Sequence, residues 1–275
     1  SNIAAGHIAI KHLAKGPCLD IVTACATSSH CIGEAFRAIH HGYADAIIAG
    51  GCENATIPLG IAGFANAKAL SRAEDPKYAS LPFNKNRQGF VMGDGAGILV
   101  LEEYDHAKAR GAKIYGEMVG YGNTCDAYHA TAPRPDGSTQ AMSIKLALAE
   151  AGFDETKDNV YINAHGTGTH LNDVAETIAY KAAFGDFAYK THISSIKSMT
   201  GHMFGAAGAA GAIATILALK EGIVPPTINL DAPDPECDLD YTPNVAVESK
   251  LTLGISDSLG FGGHDACVAF RPFKE

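Results

Sequence analysis

Apolar, β-branched runs alternate along the chain with stretches of helical period, and glycine marks most junctions between them. LDIVTAC (19–25) reads as a buried strand, and the segment from Thr27 through SSHCIGEAFRAIHHG as a helix stopped by Gly42. ADAIIAGG is a second buried strand, and GAGILVLEEYDHAKARG gives strand, helix and glycine in turn. After Lys113, IYGEMVGYGN alternates as a strand, and STQAMSIKLALAEAGF is an amphipathic helix with Ser138 as its expected cap. NVYINAHGTGT predicts a strand and a glycine turn, DVAETIAYKAAFG a helix, HISSIKSMTGH a strand and turn, and AAGAAGAIATILALKEG a helix. VPPTINLDAPDPECDLDYTP is extended and proline-punctuated, and LTLGISDSLGFGGHDACVAFRPF predicts two strands around a glycine loop.

Strands alternating with helices predict an α/β protein with a mostly parallel sheet covered by helices. Two similar halves are expected, residues 1–110 and 111–275. In open α/β sheets reactive groups gather at the carboxyl ends of strands. Cys25, His165 and His202 each follow an expected strand, and that coincidence picks them out.

The composition narrows the class. With 275 residues, 47% apolar and 19% charged, the chain can bury a large core. A net charge of −9 without long charged runs gives no electrostatic footprint for nucleic acid or an anionic membrane. Seven cysteines without CxxC pairs predict reduced thiols and a cytoplasmic protein. SNIAAGHIAI lacks the basic and apolar regions of a signal peptide. MFGAAGAAGAIATILAL (203–219) is mostly Gly and Ala, which suits a buried, closely packed helix better than a membrane span.

A free cysteine is usually an inert core residue. Cys25 differs because it opens a helix among small neighbours, where unpaired N–H groups and the helix dipole favour a thiolate. Cys18, Cys31, Cys52, Cys125, Cys237 and Cys267 lack that setting. Two histidines in matched glycine turns, NAHGTGT and MTGH, are harder to explain as structural than one. A metal reading would need a third ligand from His170, Asp173 or Cys25, without HxxxH or HExxH spacing to support it. A Cys-His protease would need one histidine rather than two.

TACATSS, PFNKNRQGFVMGDGAG, NAHGTGT, KSMTGH and GFGGH, in this order over essentially the whole chain, resemble the elongating β-ketoacyl-acyl carrier protein synthases of the synthase II type. The resemblance implies a thiolase-like α-β-α-β-α layering with the N-terminal half incomplete, because roughly the first third of a synthase would precede SNIAAGHIAI. It implies a Cys25-His165-His202 triad that elongates fatty acids by decarboxylative Claisen condensation. Cys25 would carry the acyl chain as a thioester, and the two histidines would hold the malonyl thioester carbonyl. The backbone N–H groups of Cys25 and Phe261 would form the oxyanion hole. Lys197 would support the histidines, Thr167 and Thr169 would hold the pantetheine arm, Phe64 and Phe261 would border the acyl pocket, and Thr131 would lie near the malonyl site. Asp173 and Glu176 would stand behind the triad. The implied partners are acyl carrier protein with its phosphopantetheine, malonyl and acyl thioesters, and a second copy in a homodimer. Catalysis would need no cofactor.

Some positions depart from the family pattern. Gly211 stands where glutamate is usual and Asp265 where asparagine is usual, both at positions tied to a structural Na+ or K+. Asp265 is therefore expected to take over the missing carboxylate beside Asn163 and Ser256. Asp257, Leu259 and His170 also depart, which bears on substrate range. A catalytically silent partner of the chain-length-factor type, or an inactive truncated fragment, is the alternative, and such partners typically lose the nucleophile.

Overall fold

The computed structural model describes residues 2–274, so Ser1 and Glu275, the outer ends of the two expected halves, lie outside the described residues. The first half contains α1 (Ile3–His12), α2 (Thr27–His40) after a 3-10 turn at Ala24–Ala26, β1 (Ala46–Glu53), α3 (Pro58–Asn66), β2 (Gly95–Glu102) and α4 (Tyr104–Ala109). The second half begins with β3 (Glu117–Cys125), α5 (Ser138–Glu150), β4 (Val160–Asn163), α6 (His170–Phe184), β5 (His192–Ser194) and α7 (Lys197–Thr200). It ends with α8 (Ala207–Glu221), β6 (Ile223–Val224), β7 (Val247–Glu248), β8 (Leu253–Gly260) and β9 (His264–Arg271). Gly42 stops α2 as expected, with φ at 72° and its N–H on the Ile39 carbonyl. The start of α5 differs from expectation. Asp136, not Ser138, accepts the orphan N–H of the first turn, and the Ser138 hydroxyl donates to the same carboxylate at 2.8 Å.

Pairing is mixed rather than mostly parallel. The main sheet runs β3-β9-β8-β4-β5, with β4 parallel to both β5 and β8, and β9 antiparallel to both β3 and β8. Only three residues join β8 to β9, and so short a link permits only an antiparallel hairpin. β1 and β2 form a separate antiparallel pair. The expected strand at 19–25 does not form. Its residues meet no partner strand among those described, and Leu19 and Val22 are 77% and 71% exposed. β1 is likewise only partly buried.

The layers follow from which faces are apolar. Ile162, Ile255, Cys267 and Ala269 pack one face of the main sheet against Ile144 and Leu148 of α5 and Tyr180 of α6. Tyr161, Ala266 and Val268 pack the other face against Ile32 of α2 and Ala209 and Ala212 of α8. Leu99 and Ile47 of the β1–β2 pair join this second core, so α2 and α8 lie between two sheets. The described residues thus form four layers of the thiolase-like plan. The segment Phe204–Glu221 is apolar and long enough to span a membrane, but 61% of it is buried inside the protein. Its small residues allow that burial, since a Cβ on Gly208 would lie 2.2 Å from the Ser29 hydroxyl of α2.

β3 and α5 approach still more closely. Gly120 and Gly122 face the helix, and a Cβ on Gly122 would sit 1.7 Å from the Ser143 carbonyl oxygen. Gly122→Ala is expected to lower stability by roughly 1–3 kcal/mol through overpacking, read as a fall in the urea midpoint. Gly63→Ala on the open face of α3, where an added Cβ meets nothing within 4 Å, should hold or raise the midpoint.

Candidate active site

The thiol of Cys25 sits at a strained elbow. Ala24 holds φ at 50°, unusual for a residue with a Cβ, and the Ala26 N–H closes the turn on the Thr23 carbonyl at 3.1 Å. The end of β8 presses on this elbow from outside. A Cβ on Gly260 would fall 2.4 Å from the Thr23 carbonyl oxygen, so only glycine lets the hairpin loop approach. That loop, Phe261–Gly263, brings the Phe261 N–H to the sulfur alongside the N–H of Cys25 itself. Two amides thus converge where an oxyanion would form on a thioester.

The expected thiolate is not what the structure holds. Burial pushes the Cys25 thiol up to about 11, and the pull of the Lys197 charge and the two amides only partly offsets it. Desolvation outweighs the helix terminus because Cys25 is only 7% exposed.

His165 follows β4 by one residue, in the expected strand-end turn. The Glu176 carboxylate of α6 accepts the His165 N–H at 2.6 Å and the Gly166 N–H at 2.8 Å, which fixes that turn. His202 does not directly follow a strand. The short helix α7 intervenes after β5, and the His202 N–H is held on the Val91 carbonyl at 2.7 Å. The two rings stand 5.4 Å apart and perpendicular, with Phe90 and Phe204 packed on His202. Both Nδ1 atoms are buried without a hydrogen-bond partner, and both residues line one cavity. Burial, reinforced by Lys197, drives both imidazoles well below their ordinary range, so both are neutral at pH 7. Lys197, itself buried, donates from Nζ to the His165 carbonyl oxygen at 2.5 Å.

Cys25, His165 and His202 line one cavity of about 420 Å³, together with Phe64, Thr131, Thr167, Thr169 and Phe261. The Thr167 and Thr169 hydroxyls are 3.0 Å apart. Phe64 stacks on Phe204 at 4.8 Å, and the Thr131 N–H donates to His129 Nδ1. Phe261 is 37% exposed at the cavity edge. A larger groove of about 1120 Å³ beside β2, α4 and α8 is mostly apolar and contains none of these side chains. His170 does not join His165 and His202 as a metal ligand. It stands at the rim beside Glu236 at 3.6 Å and Asp234.

Arg87 is a supporting residue that sequence reasoning did not single out. Its buried guanidinium lies 3.3 Å from Asp173 and 2.5 Å from Asp234, and it donates to the His170 carbonyl. Asp173 in turn accepts the N–H groups of Phe83 and Gly168. The only signal was membership of the PFNKNRQGF stretch, because nothing in its spacing distinguishes Arg87 from a surface arginine.

The expected cation set does not assemble. Asn163 and Ser256 are neighbours on β4 and β8 and face α8, where a Cβ on Gly211 would lie 2.8 Å and 2.5 Å from their side-chain oxygens. Asp265 pairs with Leu259 and Thr124 and points to the opposite, α5 face of the sheet. Strand alternation, with its period of two, separates them. Asn163 and Ser256 offer neutral oxygens and no carboxylate, so this trio does not fit a cation.

Two family models match the chain. Beta-ketoacyl synthase, N-terminal domain, covers residues 1–107, and Beta-ketoacyl synthase, C-terminal domain, covers residues 115–231. The chain is 54% identical over 275 residues to 3-oxoacyl-[acyl-carrier-protein] synthase 2 of Synechocystis and 50% identical over 276 residues to that of Vibrio harveyi. All of this chain aligns in both cases, and it spans 66% of each relative's length. Among solved structures, a type II polyketide ketosynthase in complex with its acyl-carrier protein aligns over 99% of this chain and 67% of its own. The TM-score is 0.96 at 40% identity. A β-ketoacyl synthase from Burkholderia phymatum aligns with a TM-score of 0.93 at 38% identity, over 99% of this chain and 66% of its own. With both domain models matched in order and the fold shared almost throughout, the chain belongs to the β-ketoacyl synthase family.

Proposed function

We propose that the protein elongates acyl chains by decarboxylative condensation, with Cys25 as nucleophile and His165 and His202 as electrophilic donors. The observation that carries this reading is the shared cavity, in which one buried thiol, two neutral imidazoles and two converging backbone amides come together. In the first half-reaction the sulfur attacks the thioester of an acyl-acyl carrier protein, and the new S–C bond replaces the pantetheine S–C bond. The thiol proton ends on the departing pantetheine sulfur. In the second half-reaction the malonyl thioester carbonyl accepts hydrogen bonds from the two Nε2–H groups, and loss of CO2 leaves an enolate. The enolate carbon attacks the acyl carbonyl on Cys25, whose oxyanion is stabilised by the amides of Cys25 and Phe261. Collapse releases the β-ketoacyl product, and the thiolate takes up a proton from solvent.

The protonation states suit this division. Neutral imidazoles donate to an oxygen that gains charge only as CO2 departs, and such preorganised donors lower a barrier by several kcal/mol in a dry cavity. Thr167, Thr169 and Thr131 line the same cavity, which supports a reading in which the first two hold the pantetheine arm and the third borders the malonyl group. Acyl carrier protein as partner, a homodimer and a cytoplasmic location belong to the same reading. The printed names of the relatives support the first, and the exposed apolar side chains of α1, β1 and β2 are consistent with the second. Some fold neighbours are complexes with chain-length factors. A silent partner of that kind has little use for the intact thiol and histidine pair found here.

Incubating the full-length protein with acyl-acyl carrier protein should add the acyl mass to Cys25, and Cys25→Ala should abolish it. An unmodified thiol in folded protein would overturn the proposal. His165→Ala and His202→Ala should each retain acylation while slowing CO2 release from malonyl-acyl carrier protein by about 100- to 1000-fold. Because the folded thiol titrates near 11, the rate of iodoacetamide alkylation should climb by about tenfold per unit between about pH 7 and pH 9 without a plateau. A plateau below about pH 8 would show that the thiolate is stabilised after all.

A further inference from the structure

A buried imidazole that the proposed chemistry leaves unused lies beneath the turn of the nucleophile. His30, in the first turn of α2, is 4% exposed and is not among the residues that line the cavity of Cys25. Its Nδ1 is 2.9 Å from Thr23 Oγ1 and 3.1 Å from the Ala26 carbonyl oxygen. Thr23 and Ala26 bracket the strained Ala24 and the nucleophile itself. A carbonyl oxygen can only accept, so Nδ1 carries the proton and ties both ends of the turn to one ring vertex.

The rest of the ring faces the main sheet. Nε2 is 3.1 Å from Asn123 Oδ1 on β3. His264, the first residue of β9, meets the ring edge-on at 6.3 Å and 85°. The His264 ring in turn abuts Gly262, where an added Cβ would lie 3.1 Å from it. One rigid ring therefore touches the turn that bears the Cys25 N–H and, through His264, the loop that bears the Phe261 N–H. Leucine would serve to fill space alone, since burying an imidazole is unfavourable unless its nitrogens find partners. Here both nitrogens are spent on the elbow and on β3, and neither is left for a ligand.

Given the proposed function, on which this rests, we infer that His30 is a positioning residue for the nucleophile elbow. It fixes the Cys25 N–H relative to that of Phe261, and so aligns the oxyanion pair of the acyl-transfer step. Donors stabilise an oxyanion only when they are held where the oxygen will come to lie, and small misplacements are costly. His165 and His202 belong to turns after β4 and α7, and their backbones are held by Glu176 and Val91 instead. Loss of His30 should therefore impair acyl transfer and leave CO2 release largely intact, a split that a general loss of structure would not produce.

In the full-length protein, His30→Leu removes both ring nitrogens and keeps an apolar filling. It should slow acyl transfer from acyl-acyl carrier protein to Cys25 by at least about tenfold. The same variant should release CO2 from malonyl-acyl carrier protein within about threefold of the parent rate. His30→Asn, which keeps a donor for the Ala26 carbonyl, should transfer acyl groups at least about threefold faster than His30→Leu. If His30→Leu does not fold, Thr23→Val takes its place and should show the same split, with acyl transfer slowed by at least about threefold. The proposal is overturned if acyl transfer by His30→Leu, or by Thr23→Val in its place, stays within about twofold of the parent. It is also overturned if CO2 release falls in step with acyl transfer, or if His30→Asn recovers nothing. A parent that takes no acyl group overturns the proposed function as well, whereas an acylated parent with an unmoved variant overturns the role of His30 alone.

Discussion

The geometry of the site depends on how closely helix α8 is gripped between two sheets. Gly208 lets it touch Ser29 of α2, and its Ala209 N–H donates to the Ser28 hydroxyl at 2.8 Å. Gly211 lets the same helix touch Asn163 and Ser256 of the main sheet. The helix that follows Cys25 and the strand that precedes His165 are therefore both referenced to one rigid rod, which begins at Ala207, shortly after His202. Interiors packed at crystal-like density transmit position with little slack. A thiol and two imidazoles that are distant in the chain are thus held in register by the contacts that their elements make with α8.

Burial then sets the electrical state of those groups. Desolvation raises the thiol and lowers both imidazoles, so the three reactive side chains are all uncharged before substrate arrives. The ionisable groups Lys197, Glu176, Asp173 and Arg87 stand one layer back, where they anchor backbone amides and carbonyls. A neutral cavity with fixed donors favours reactions that develop negative charge transiently on oxygen. It would do little for chemistry that needs a standing nucleophilic anion.

Much of this was legible in the sequence. Glycines after apolar runs correctly ended α2, α6 and α8, and the Gly/Ala composition of 203–219 correctly pointed to close packing. His165 was found from its strand-end turn, whereas Cys25 and His202 were found through strands that did not form or did not reach them. Sheet direction was not legible, because alternation of strand and helix is equally consistent with the β8–β9 hairpin. The 19–25 run failed as a strand because apolar character records a wish for burial and not the presence of a partner. The state of Cys25 was misread because local helix position is visible in a sequence and tertiary desolvation is not. Asp265 was assigned to the wrong face because a motif gives neighbours in the chain, while the parity of the strand decides on which side each of them lies.

The burial of the Cys25 thiol has a consequence for its oxidation. Peroxide and soluble electrophiles react with thiolates, and a sulfur held protonated presents few of them. On the proposed function, its reactivity would be released by proximity to a thioester rather than by ionisation in the resting state. Covalent ligands of this cavity would accordingly gain more from shape and a long approach arm than from an aggressive warhead, and the same burial slows sulfenylation of Cys25.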